Sequence, residues 1–279
     1  MNDIAIMQGR LLPPIDGRIQ AFPAMLWRNE FANAKKANIS CIEWIFEKPN
    51  QHLNPLSSNV GIKSLHNLTN KSGVGIRSIC ADYYMEELLI DSDGNVRSEA
   101  VNHLNWLIDQ AAKLSVIYIV LPFVDLSSLN TVAHKHSLVS LMQSLGPRAA
   151  VRNIELHLET DLHPTIFSSI LKSINHRSIK ANFDIGNSAA LGYDPTEELK
   201  LLTPFLGSVH VKDRILGGNS VPLGVGNADF PTCFKLICRA GFKRHFVLQV
   251  ARGKDGDEIE LAIQNRKFVE QQLSNQTKW

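Results

Sequence analysis

Apolar residues along this chain fall into two alternating patterns. Short, nearly continuous apolar runs lie at 4–7, 39–46, 75–82, 116–121, 154–159, 179–183, 208–212 and 245–252. Runs of this length that stay apolar on both side-chain phases read as strands covered on both faces, as in a parallel sheet. Between them come longer segments whose apolar positions recur every three to four residues. Those segments predict helices over 24–37, 60–71, 97–114, 131–150, 164–174, from Asp194, over 230–240 and from Asp257. In 97–114 the stripe is Val101, Leu104, Ile108 and Ala111; in 24–37 it is Met25, Phe31, Ala34 and Ala37. In the last helix Ile259, Ala262, Ile263, Val269 and Leu273 share a face. Eight strands alternate strictly with eight helices, and 279 residues allow about 35 per unit. The reading is a single closed (β/α)8 barrel spanning 1–279. The rival is an open doubly wound sheet, whose glycine fingerprint after the first strand is not what Gln8-Gly9-Arg10 offers. No low-complexity tract or charge block divides the chain into two domains.

Composition narrows the partners. Twenty-nine basic residues against 27 acidic ones give a net charge of +2, with no basic stripe to suggest nucleic acid. Cys41, Cys80, Cys233 and Cys238 show no CxxC spacing, and nothing suggests a disulfide framework. No apolar run is long enough to span a bilayer and the start carries no signal pattern. A cytoplasmic, membrane-free protein is the expectation.

Chemistry concentrates where strands end. Asn182-Phe183-Asp184-Ile185-Gly186-Asn187 closes a strand in an acid, followed by a polar turn and an Asp194-Pro195-Thr196-Glu197 helix start with the form of a capping box. Ile154 to Glu159 ends another strand in an acid. His210 and Lys212 lie near the end of a third. The spacings from Glu159 to Asp184 and from Asp184 to His210 are 25 and 26 residues, about one strand-helix-strand repeat. One acid at one strand end is weak; two carboxylates and an imidazole in phase point to one rim of one barrel, where such folds hold their chemistry. By the same alternation His157 lies one layer below Glu159, as a structural residue, and Lys212 one layer above His210, where it can meet a substrate. Glu43 and Asp82 end strands two and three and serve either substrate hydroxyls or structural ion pairs. Arg10, Arg214 and Arg252 follow strands one, seven and eight. With the glycines between Gly217 and Gly226, Arg214 or Arg252 offers a weak phosphate site; otherwise that loop is a flexible connector.

Leu158-Glu159, Asn182 to Asn187, Val209-His210-Val211-Lys212-Asp213-Arg214 and the strand-eight position together resemble the xylose-isomerase-like TIM barrels, the sugar and sugar-phosphate isomerases and epimerases that also include endonuclease IV. Met7-Gln8-Gly9-Arg10-Leu11 and Cys80-Ala81-Asp82-Tyr83-Tyr84-Met85 are similar to a hexulose-phosphate isomerase-like branch. The resemblance covers nearly the whole chain. It implies one divalent metal, of manganese, magnesium, cobalt or zinc, held by Glu159, Asp184, His210 and the strand-eight residue. That residue is Gln249 here, where the family has Glu. An amide can ligate through oxygen but cannot act as a base.

The implied substrate is a small sugar or sugar phosphate, contacted by Arg10, Glu43, Asp82, Asn187, Arg214 and Arg252, with Glu159 and Lys212 as the catalytic residues. A metal gripping a carbonyl and its neighbouring hydroxyl acidifies the C–H between them. Epimerisation at carbon 3 in the family uses an acid on each face of that carbon; with Gln249 only Glu159 remains, unless Glu43, Asp82 or Lys212 supplies the other. A single base still moves a proton between adjacent carbons, so the expectation is an aldose–ketose isomerase ahead of a 3-epimerase or dehydratase. A non-catalytic sugar-phosphate-binding barrel is the contrasting reading, and endonuclease-like DNA cleavage fits the charge poorly. By analogy with the family a homo-oligomer is possible.

Overall fold

A computed structural model describes residues 4–276. Eight parallel strands close into a barrel: β1 (Ile4–Met7), β2 (Cys41–Ile45), β3 (Gly75–Cys80), β4 (Tyr118–Phe123), β5 (Glu155–Thr160), β6 (Ile179–Asp184), β7 (Leu206–Val211) and, after a two-stranded hairpin of β8 (Asp213–Arg214) and β9 (Ser220–Val221), β10 (Phe246–Leu248). Each barrel strand pairs in parallel with its sequence neighbour, and β10 closes on β1 through Ile4–Phe246, Ala5–Val247 and Ile6–Leu248. The closed eight-stranded parallel barrel is the fold that the alternation of short and long apolar segments predicts.

The helices dock as their stripes require. In Ser98–Lys113, Leu104, Leu107, Ile108 and Ala111 are buried against the barrel. Thr131 caps Val132–Val151 by accepting from the His134 amide, and Asp194 caps Pro195–Leu202 by accepting from the Thr196 and Glu197 amides. Helix Glu258–Gln276 returns over the first strand, with Ala262 and Val269 buried.

Three local expectations change. The first helix starts at Asn29 rather than Ala24. Residues 24–28 form turns, and Met25 is 84% exposed instead of sharing the face of Phe31 and Ala34. A turn was expected after Asp184, but a helix, Ile185–Leu191, begins there directly. The 217–226 glycine segment is no loose connector. It belongs to the β8–β9 hairpin and its return, tied down by the Asp213 carboxylate, which accepts from the amides of Gly224, Gly226 and Ala228.

Candidate active site

The cluster sits at the C-terminal ends of β5, β6 and β7, and strand register places it there. Asp184 on β6 is level with His210 on β7, and Glu159 ends β5 opposite Pro122 on β4. Glu159, Asp184 and His210 are all buried, and one ligating atom from each lies within 4.8 Å of the others. His210 Nδ1 lies 3.4 Å from Glu159 and 3.9 Å from Asp184. Two carboxylates and an imidazole nitrogen converging on one point form a donor set that fits a divalent cation.

Each member is held from behind. His210 Nε2 pairs with Glu43 at 2.8 Å, both side chains fully buried. A ring whose far nitrogen bonds a carboxylate has its near nitrogen aimed, the usual support of a metal-binding histidine. Burial alone would lower the His210 pKa, but the charges of Glu43 and Glu159 and their hydrogen bonds raise it to about 10 in the metal-free protein. Burial by itself would also raise the Glu159 pKa; the bond and charge of His210 outweigh it and hold the carboxyl below its usual range. For Asp184 burial wins, and its pKa rises despite Lys212.

Asp184 does two jobs. Its Oδ1 accepts from the Asn187 amide at 2.8 Å, capping helix Ile185–Leu191, while Oδ2 faces Lys212 Nζ at 3.5 Å. The helix can start this close only because residue 186 is glycine: a Cβ there would lie 2.8–2.9 Å from Cγ and the backbone of Lys212. Asn187, on the first turn, donates to Glu159 Oε1 at 2.8 Å. Asn182 donates to Glu159 Oε2, also at 2.8 Å, and accepts from Ser208, whose hydroxyl in turn meets His157 Nδ1. His157 is fully buried one layer down, stacked on Tyr118 and paired with Glu155, as its position two residues before Glu159 predicts.

Gln249 lies just past β10. Its Oε1 accepts from Lys212 Nζ at 3.2 Å and its Nε2 donates to Gln20 at 3.2 Å. A cavity of about 600 Å³ opens above the cluster, lined among others by Arg10, Gln20, Asp82, Glu159, Asn187, Lys212, Arg214 and Gln249. Asp82 accepts from Gln20 at 2.7 Å and from Cys80, and burial raises its pKa to about 6.

Two residues expected to touch substrate lie elsewhere. Glu43 is beneath the cluster, fully covered and outside the cavity lining. Arg252 is also outside that lining; it donates to the carbonyls of Gly9, Leu12 and Ile19 and ties the segment after β1 to the end of β10. Arg10 lines the cavity but is only 5% exposed and is spent on Val250, Ile19 and Gln20. Sequence reasoning missed Asn182 and Gln20. Asn182 was legible, because it lies two residues before Asp184 and so faces the same way. Gln20 sits in an irregular segment that no periodicity flags.

A model of the xylose isomerase-like TIM barrel family matches residues 31–272. Among curated relatives, the putative L-ribulose-5-phosphate 3-epimerase SgbU of Haemophilus influenzae is 23% identical over 266 residues, covering 88% of this chain and 91% of its own. The L-ribulose-5-phosphate 3-epimerase UlaE of Shigella flexneri serotype 5b is 25% identical over 242 residues, covering 83% and 84%. Among solved structures, an L-ribulose 3-epimerase superposes with a TM-score of 0.78 at 16% identity, covering 100% of this chain and 96% of that one. A D-allulose 3-epimerase from Methylomonas sp. in complex with D-allulose gives 0.75 at 15%, covering 97% of each. With the family model spanning most of its length, this chain belongs to the xylose isomerase-like TIM barrel family.

Proposed function

We propose that this protein is a divalent-metal-dependent 3-epimerase of a ketose. It is an enzyme of the isomerase class, acting on a sugar or sugar derivative. The observation that carries the reading is the convergence of Glu159, Asp184 and His210 within 4.8 Å at the barrel mouth, with Lys212 on the same cluster. Glu159, Asp184 and His210 would hold the metal, with the Gln249 amide oxygen as a fourth donor. When bound, the metal polarises a ketose carbonyl and so acidifies the adjacent C–H.

The chain's own residues handle the proton. Glu159, kept ionised by His210 and oriented by Asn182 and Asn187, is the base that takes it from one face of carbon 3. The other face needs a second group, and Gln249 cannot be it. Lys212 Nζ lies 3.2 Å from the Gln249 oxygen, beside the position where the family has an acid, and as an ammonium it can return a proton there. This is why the 3-epimerase reading, which the names of the relatives favour, displaces the isomerase expected from the lost carboxylate. A single-base isomerase remains the second reading, and the same experiment separates the two.

The experiment is elemental analysis of protein purified without chelator, for wild type and Asp184→Ala, followed by solvent deuterium wash-in over a panel of ketoses and their phosphates. Near-stoichiometric metal lost in Asp184→Ala, with label at carbon 3 of both epimers, is expected. Label at carbon 1 with formation of an aldose would establish the isomerase instead. Wild-type protein that takes up no divalent metal on soaking and exchanges no ketose proton would sink both readings. Gln249→Glu sharpens the assignment: it should tighten metal binding and change the epimerase rate, and an unchanged rate would remove the argument that residue 249 bears on the chemistry.

A further inference from the structure

We infer that the substrate is an unphosphorylated ketose, a neutral polyhydroxy ketone, although the curated relatives are named for a sugar phosphate. The inference rests on the proposed function and specifies its substrate class. It comes from where the cationic and amide donors around the cavity are spent.

Barrels often hold a phosphate group with the loops after strands seven and eight, using backbone amides and cationic side chains. Here three amides of the segment after β7 already hold an anion of the protein's own. Asp213 is fully buried, and its Oδ2 accepts from Gly224 at 2.8 Å and Gly226 at 2.9 Å, its Oδ1 from Ala228 at 3.1 Å. The fit leaves no slack, since a Cβ on Gly226 would lie 2.3 Å from Asp213 Oδ1. An internal carboxylate fills this nest, so its three amides are not free for a phosphate.

The side-chain cations are committed as well. Among the described residues, three line the cavity: Arg10, Lys212 and Arg214. Arg10 gives Nε to Val250 O at 2.8 Å, Nη1 to Ile19 O at 2.5 Å and Nη2 to Gln20 Oε1 at 3.3 Å. Arg214 gives Nε and Nη2 to Gly218 O at 3.0 and 2.7 Å, and Nη1 to Asn187 Oδ1 at 3.0 Å. Lys212 faces Asp184 and Gln249.

Against these three cations the cavity presents six carboxylates, Glu159 and, around it, Glu47, Asp82, Glu86, Asp125 and Asp161; Glu47 is paired with Arg18 at 2.9 Å, which leaves five. A dication at the cluster would be shared with Asp184 and would not reverse that excess. A dianionic ester would enter a field of its own sign, whereas a neutral sugar finds acceptors for its hydroxyls.

The test uses the full-length, metal-loaded protein and ketopentoses and ketohexoses offered both free and as terminal phosphates. Deuterium wash-in measures turnover, and calorimetric titration measures binding of each form and of inorganic phosphate. Free ketoses are expected to exceed their phosphates in kcat/KM by about tenfold or more, with no competition by inorganic phosphate. Neutralising the exposed rim with Glu86→Gln and Asp125→Asn together should narrow that ratio severalfold. Preference for the phosphate, or competitive inhibition by inorganic phosphate, would overturn the inference. If no ketose exchanges at all, the proposed function fails. Binding then decides this point alone: selective binding of the free sugar upholds it, and tighter binding of the phosphate, or binding of neither, overturns it.

Discussion

The two halves of the barrel mouth carry similar residues and use them differently. The first four strands lead to Glu43 and Asp82, the next strands to Glu159 and Asp184. Glu43 and Glu159 even address the same imidazole, from opposite nitrogens. Glu43 has no solvent exposure and bonds Nε2 at 2.8 Å, with no contact to the cavity. Glu159 lies 3.4 Å from Nδ1 and lines the cavity. Asp82 is likewise engaged, by Gln20 and Cys80. The first half therefore supports, and the second half brings ligating atoms together at one point. A carboxylate at a strand end acquires its role from where its oxygens converge and not from how many lack partners: Glu43 Oε2 is buried without one, whereas both Glu159 oxygens accept hydrogen bonds.

Breaking the presenting side should cost most. Glu159→Gln removes the proposed base and keeps an acceptor for only one of Asn182 and Asn187, so exchange at saturating metal should fall by about 10²- to 10⁴-fold. A loss smaller than this would move the base elsewhere. Breaking the supporting side should act through the metal. Glu43→Ala frees the His210 ring, and metal affinity should drop about 10- to 100-fold, with turnover partly recovered by excess metal. Glu43→Gln, which retains an acceptor for Nε2, should fall between wild type and Ala. Unchanged metal affinity in both would show that Glu43 does not aim the ring.

Arg252 tests support without chemistry. Its three carbonyl acceptors join the segment after β1 to the end of β10. Arg252→Ala should lower stability by about 1–2 kcal/mol in urea unfolding while leaving KM for a ketose nearly unchanged. A large rise in KM would return Arg252 to the substrate site.

The last effect is a change of pH dependence, away from the site. Glu30 is fully buried, with Oε1 accepting from the Gly9 amide at 2.5 Å and Oε2 unpartnered. Burial raises its pKa to about 7 against 4.5 for the free side chain, despite the Gly9 bond. Between those values the folded state binds the extra proton, so this group stabilises below about 4.5 and the contribution is lost as pH rises through about 7. Glu30→Gln should flatten the fall in stability across that window, read by urea unfolding at several pH values. An equal slope in wild type and variant would show that Glu30 does not titrate there.

The chain's periodicity was enough for the barrel. Apolar runs of strand length separated by helical stripes leave few ways to bury both faces of eight strands, and closure is the way the chain takes. The spacing of Glu159, Asp184 and His210 announced the cluster for the same reason, because the repeat length sets which strand ends share a rim. Side-chain alternation likewise put His157 below Glu159 and Lys212 above His210, toward the mouth; that Lys212 also meets Asp184 came from the fold. Tertiary structure alone decided the rest. Met25 fell out of its stripe because 24–28 turns before the helix begins. Asp184 became a helix cap as well as a cluster member because Gly186 lets the chain pass against Lys212. In the sequence Arg10, Arg214 and Arg252 are substrate candidates, Arg214 or Arg252 for a phosphate; which acceptors they use came only from the fold. Those acceptors are mostly backbone carbonyls, of Val250, Ile19, Gly218, Gly9 and Leu12. Every residue has a carbonyl, so its side-chain code says nothing about which one an arginine will find. Sequence names the donors and the order of the strands; only the folded chain decides which donors are already taken.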